Sequence, residues 1–166
     1  MKSASSEVRR NILFAVTALL VVALDQITKI LAEAYLTQGS ISVIGDLLRF
    51  RLAYNDAAAF SLGFGYTWIL TLASSVAVVA LLIYGPKAKT PYWSLIAGFI
   101  LGGAFGNWID RMFRAPELFN GHVVDFLQIP FNFPIFNFAD TFLVIGVCLA
   151  ILRTLLGDEI GGGRAK

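Results

Sequence analysis

Two aspartates in apolar company pose the first chemical question. Asp125 stands in "GHVVDFLQI" between Val124 and Phe126, and Asp140 stands in "FNFADTFLVIGV" at the head of a long apolar run. Neither has a basic neighbour in sequence. Two such carboxyls, if they meet in space, cannot easily both ionise. One pKa then rises and the pair shares a proton, which is the condition of an acid/base pair that can activate water. Plainer roles stand beside this one. Asp140 would serve as an N-cap or first-turn acid of the helix that follows, and Asp125 as a loop carboxylate paired with Arg111 or Arg114.

A second set of polar residues keeps regular spacing. Asp25 and Lys29 lie at i, i+4 with the acid first, the favourable order for a helical ion pair. In "GNWIDR", Asn107, Asp110 and Arg111 stand at i, i+3 and i+4 and so share one helical face, where they could tie helix ends together by hydrogen bonds. Asn55 and Asn137 complete the group. Other chemistries lack their residues: there is no G-x-S-x-G elbow and no H-E-x-x-H. The single cysteine, Cys148, cannot form an internal disulfide and is expected to pack inside its helix, and with one histidine, His122, it cannot build a zinc site.

The elements that must position these residues belong to a membrane. The 166 residues are 57% hydrophobic and 14% charged, with a mean hydropathy of +0.74, and the charges fall in clusters between apolar runs. The spacing predicts four membrane helices over 11–31, 66–84, 92–109 and 140–156, each near the ~20 residues that cross a bilayer. The third, with "AGFILGGAFGN", is rich in the small residues that allow close helix contact in lipid. An ionisable group inside such a segment costs about 2.5–3.5 kcal/mol for Asp at the helix centre and by default points to function. Asp25, Asn55, Asn107, Asp110, Arg111, Asp125, Asn137 and Asp140 all fall at one end of the expected spans or in the two connections there.

Those connections differ in pattern. In the first, Leu48, Phe50, Leu52 and Tyr54 alternate with Arg49, Arg51 and Ala53, which predicts a strand. The second, "RAPELFNGHVVDFLQIPFNFPIFNFAD", is too apolar for a solvated loop and is expected to lie along the membrane interface. The fold class is therefore an all-α membrane protein in one domain, residues 1–166, with four transmembrane helices, a small β-containing connection and an interfacial segment. Lys2, Arg9 and Arg10, then Lys87 and Lys89, then Arg153, Arg164 and Lys166 would share the cytoplasmic side. The net charge of +2 follows from this topology and not from a nucleic-acid face. "AEA" at Ala32 to Ala34 imitates a signal-peptide cleavage site, but Asp25, Lys29 and Glu33 stand between it and the apolar run and argue against cleavage.

In order along the chain, "LDQITK" (24–29), "NDAAAFSL" (55–62), "GGAFGNWIDR" (102–111), "GHVVDF" (121–126) and "FNFAD" (136–140) resemble the motifs of the bacterial lipoprotein signal peptidases, or signal peptidase II. The resemblance extends over nearly the whole chain. It implies an aspartyl endopeptidase of the bacterial cytoplasmic (inner) membrane, with both termini cytoplasmic, a site near the outer face, no cofactor and no metal. It would work as a monomer among membrane lipids on prolipoproteins carrying a diacylglyceryl-cysteine. The catalytic pair falls on Asp125 and Asp140, and the supporting positions on Asp25, Asn55, Asn107, Asp110, Arg111 and Asn137. One departure is Ala57, where the family pattern usually has glycine, which puts the conformation of that loop in question. A small transporter or proton-conducting bundle is the competing class, because intramembrane acids also mark ion pathways. It would spread its acids through the membrane depth or carry internal repeats, and the sequence does neither.

Overall fold

The computed structural model describes residues 2–56 and 67–162. Ala57 and its loop lie outside them. Among the described residues the chain forms α1 (Lys2–Tyr35), β1 (Ile41–Ile44), β2 (Leu48–Asn55), α2 (Thr67–Tyr84), α3 (Pro91–Phe113), β3 (Val123–Gln128) and α4 (Phe138–Leu155). The helices pack inside out relative to a water-soluble protein. Leu19, Leu20, Leu72, Val76 and Ile151 are exposed, while Thr17, Asp25, Lys29, Ser94, Asn107 and Asp110 are buried. Such a surface suits lipid, where polar groups must find partners inside the protein.

Among the described residues three helices are long and apolar enough to cross a membrane: Ala4–Tyr35, Thr67–Lys87 and Phe138–Leu155. The remaining expected span, within α3, has the length but not the apolarity. It packs against α1, α2 and α4, so much of its surface meets protein, and its buried residues include Ser94, Asn107 and Asp110 as well as glycines.

Glycines set how closely α3 approaches its neighbours. Gly98, Gly102 and Gly106 recur every four residues along one face. A Cβ on them would lie 2.7 Å from Thr17 Cβ, 2.6 Å from Val21 Cβ and 2.5 Å from the Asp25 carboxylate. Only hydrogen fits along this seam, and the seam delivers Asp25 and Lys29 of α1 to Asn107 and Asp110 of α3. Thr90 caps α3, its side chain accepting from the Trp93 amide, with Pro91 at the first helical position. Cys148, expected inside, is exposed on α4, where a thiol is apolar enough to face outward.

The three strands form one antiparallel sheet in the order β1-β2-β3. The second connection therefore carries a strand where an interfacial segment was expected. β3 is buried along nearly its whole length, so it shows no alternation for a sequence reading to detect. Leu48, Phe50 and Leu52 of β2 pack on a core of Ala32, Leu36, Phe126 and Leu127, as alternation predicts. The register with β3 then shifts between Phe50 and Ala53. Beyond this irregularity Tyr54 is exposed, and the Asn55 side chain turns to Asp125. Bulges re-aim side chains in this way.

Candidate active site

Three helices, α1, α3 and α4, and two strands, β2 and β3, bring the eight singled-out residues together at one end of the bundle. Two sets of contacts make up the site, joined by Asn107.

The first set is ionic. Lys29 is fully buried, and its ammonium lies 2.8 Å from Asp25 Oδ2 and 2.7 Å from Asp110 Oδ2, both of them also fully buried. Its third donor goes to Asn107 Oδ1 at 2.9 Å. The expected Asp25–Lys29 pair is present, but as one edge of a larger cluster. Asp25 Oδ1 accepts the Ala139 amide at 3.0 Å, which pins the first turn of α4. Asp110 Oδ2 accepts the Val124 amide at 3.2 Å, and its Oδ1 receives Arg114 Nε at 2.8 Å. Arg114 also pairs with Glu33. The sequence suggested Arg111 or Arg114 as a partner for Asp125; the structure gives Arg114 to Asp110 and Glu33 and leaves Arg111 to act on Asp140 and Asp125. Gln26 adds hydrogen bonds to Asp25 and Asp110, each of 3.1 Å.

The second set holds the remaining two carboxylates on side-chain amides. Asn55 donates to Asp125 Oδ2 at 3.0 Å, and Asn137 donates to Asp125 Oδ1 at 2.6 Å. Asn137 is also the N-cap of α4: its Oδ1 accepts the Asp140 amide at 2.9 Å, while Asp140 Oδ2 accepts the Asn137 amide at 3.2 Å. This reciprocal capping box fixes the entry of the helix. The plainer role foreseen for Asp140, a first-turn acid, is thus fulfilled. Its other oxygen, Oδ1, faces Asn107 Nδ2 at 2.7 Å. The half-buried Arg111 guanidinium interacts electrostatically with Asp140, Asp125 and Asp110.

Burial pushes the Asp125 carboxyl up, the nearby Asp140 charge pushes it further, and the Asn55 and Asn137 donors only partly offset them, so it comes to about 7. Charge matching agrees. Lys29 and Arg114 are ion-paired with Asp25, Asp110 and Glu33, which leaves two carboxylates, Asp125 and Asp140, facing one further guanidinium, Arg111, and so an excess of negative charge. Sharing one proton relieves it.

Sequence reasoning passed over Lys29 as an ordinary helical ion pair, and did not single out Gln26 or Glu33. The signal for Lys29 was its place four residues past an acid inside an otherwise apolar helix.

A helical membrane protein with an acid pair at one end of its bundle is the class these features define. A family model described as Signal peptidase (SPase) II matches residues 17–156. The lipoprotein signal peptidase of Rhodococcus jostii is 43% identical over 157 residues, covering 94% of this chain and 79% of that protein. That of Mycobacterium leprae is 43% identical over 162 residues, covering 95% and 80%. A solved structure described as a bacterial membrane enzyme superposes with a TM-score of 0.75 at 30% identity, covering 86% of this chain and 87% of the other. The chain belongs to the signal peptidase II family, and it is a peptidase of aspartic type.

Proposed function

We propose that the protein removes signal peptides from prolipoproteins, cutting before the diacylglyceryl-modified cysteine with water activated by Asp125 and Asp140. The observation that carries this reading is the carboxyl pair itself, held on side-chain amides beside the single Arg111 guanidinium, with Asp125 raised to about 7. Such a pair keeps one proton at neutral pH. The ionised member takes a proton from water as its oxygen attacks the scissile carbonyl, and the protonated member donates to the carbonyl oxygen. Collapse breaks the C–N bond and the leaving cysteine nitrogen takes a proton. The pair titrates as a unit, so the shared proton belongs to both carboxyls together. Asn55, Asn107 and Asn137 hold the carboxyls, while Asp25 and Asp110 hold the helices that carry them.

In this reading α3 is the fourth membrane span and the three basic groups lie on the cytoplasmic side of the cytoplasmic (inner) membrane. The acid pair then faces the outer interface. A lipid-modified cysteine and an apolar signal helix both reside in the bilayer, so a monomer can admit them laterally among the lipids. Arg49 and Arg51 on β2 are available to lipid head groups.

The test is incubation of the purified protein with a prolipoprotein, with and without its diacylglyceryl group, reading product masses. Cleavage immediately before the modified cysteine, with little or none of the unmodified precursor, is expected. Equal cleavage of both precursors, or a cut elsewhere, contradicts the substrate assignment.

A further inference from the structure

Lys29 is a buried titratable group that the water-activating step does not use. Its surroundings give it a second task. An ammonium carries only donors, so the atom of Asn107 that faces it must be the carbonyl oxygen, as the 2.9 Å contact to Oδ1 has it. The amide of Asn107 is planar, so its NH2 is then turned the other way, to Asp140 Oδ1 at 2.7 Å. Asn137 Nδ2 also donates to Asn107 Oδ1 at 3.1 Å, which reinforces the same orientation. Were the amide reversed, its oxygen would confront a carboxylate and its NH2 would confront an ammonium and a donor.

Asn137 is oriented independently. Its oxygen accepts the Asp140 backbone amide, so its NH2 is directed to Asp125. One amide therefore takes its polarity from a helix terminus, and the other from a buried cation. Asp25 and Asp110 hold that cation in place, and the glycine seam brings its helix up to α3.

We propose that Lys29 is a positioning residue for the peptidase reaction, which orients the Asn107 amide so that its N–H is presented to Asp140. The proposal rests on the reading of Asp125 and Asp140 as the reacting pair. It assigns Lys29 an effect on the chemical step that passes through Asn107 and does not depend on contact with substrate.

A double-mutant cycle on prolipoprotein cleavage tests it, with Lys29→Met and Asn107→Ala made singly and together, and thermal midpoints recorded for each. An effect carried through Asn107 lowers kcat on the order of tenfold to a hundredfold in Lys29→Met with KM within about threefold, and adds no further loss once Asn107 is Ala. Losses that multiply in the double variant, or a change in KM alone, overturn the proposal. Lys29→Met leaves buried Asp25 without its cation and Asp110 with Arg114 alone, so if it does not fold, Lys29→Met with Asp25→Asn removes one charge of each sign and takes its place in the cycle. A readout free of activity is the side-chain amide resonance of Asn107 followed by NMR against pH. It tracks the acid pair in the parent and ceases to do so in the Lys29 variant; an unchanged response there overturns the proposal. Active Asp125→Asn and Asp140→Asn proteins would remove the underlying reading, whereas inactive ones beside a fully active Lys29 variant would remove this inference alone.

Discussion

Two pairs of carboxylates, all buried but for the half-buried Asp140, lie within a few side chains of each other, and they are compensated differently. Asp25 and Asp110 have an ammonium between them, 2.8 and 2.7 Å away. Asp125 and Asp140 have amides, which stabilise a charge by donating to it but do not cancel it, and one guanidinium, Arg111, for two carboxyls. The residue type is the same in both pairs. The first is tied into ion pairs that hold helices together, while Asp125 of the second is pushed up to about 7, and a carboxyl that holds a proton near neutral pH can give and take one. Burial alone therefore does not separate a structural acid from a reactive one; the partner does.

The comparison breaks first if the ionic pair carries no stability. Asp110→Ala leaves Lys29 with one carboxylate, Arg114 with Glu33 alone and the Val124 amide without its acceptor. A loss of about 3–5 kcal/mol is expected, as for a buried pair deprived of one member, read as a fall in denaturation midpoint in detergent.

The acid pair should show the opposite behaviour with pH. Asp125 ionises near 3.8 in the unfolded chain and at about 7 in the folded one, so as pH rises the unfolded chain loses this proton first. Its stabilising contribution is complete below about pH 4, is lost progressively up to about pH 7, and amounts to at most about 4 kcal/mol. Thermal midpoints measured from pH 4 to 8 should fall through that window in the parent, and fall less in Asp125→Asn.

Gly106→Ala sharpens the account of how the first pair is placed. The added Cβ would meet the Asp25 carboxylate at 2.5 Å and Ala139 Cβ at 3.2 Å. It should cost about 1–3 kcal/mol, as overpacking does, again read from the denaturation midpoint. Replacing Arg49 and Arg51 with Gln touches neither pair. It should weaken binding to vesicles of anionic lipid by about 1 kcal/mol per arginine and leave the midpoint unchanged; unaltered vesicle binding would remove these residues from the lipid contact.

Much of this was legible in the sequence, for identifiable reasons. Long apolar runs mark α1, α2 and α4, because lipid-facing residues need no alternation. β2 shows its period of two up to the bulge, beyond which Tyr54 no longer follows the pattern. β3 is hidden because "VVDFL" is buried on both faces, so its apolar run reads equally as interfacial chain. The first turns of α1, in "KSASSEVRR", hold only Ala4 and Val8 as apolar residues and so do not extend the apolar run. At the site, the acids could be recognised by their cost in an apolar setting, but which of them shared a cation could not. Lys29 meets Asp110 across 81 positions of sequence, and only the packing of α1 on α3 brings them together.

The most direct test of the difference between the two pairs is prolipoprotein cleavage by Asp125→Asn and by Asp140→Asn, each measured beside its thermal midpoint. Loss of at least about a thousandfold in cleavage rate is expected, within the range for removal of an acid/base group, with Asp125→Asn no less stable than the parent at pH 8. Cleavage at the parent rate by either folded variant would contradict the account, and would return Asp140 to the role of a helix cap.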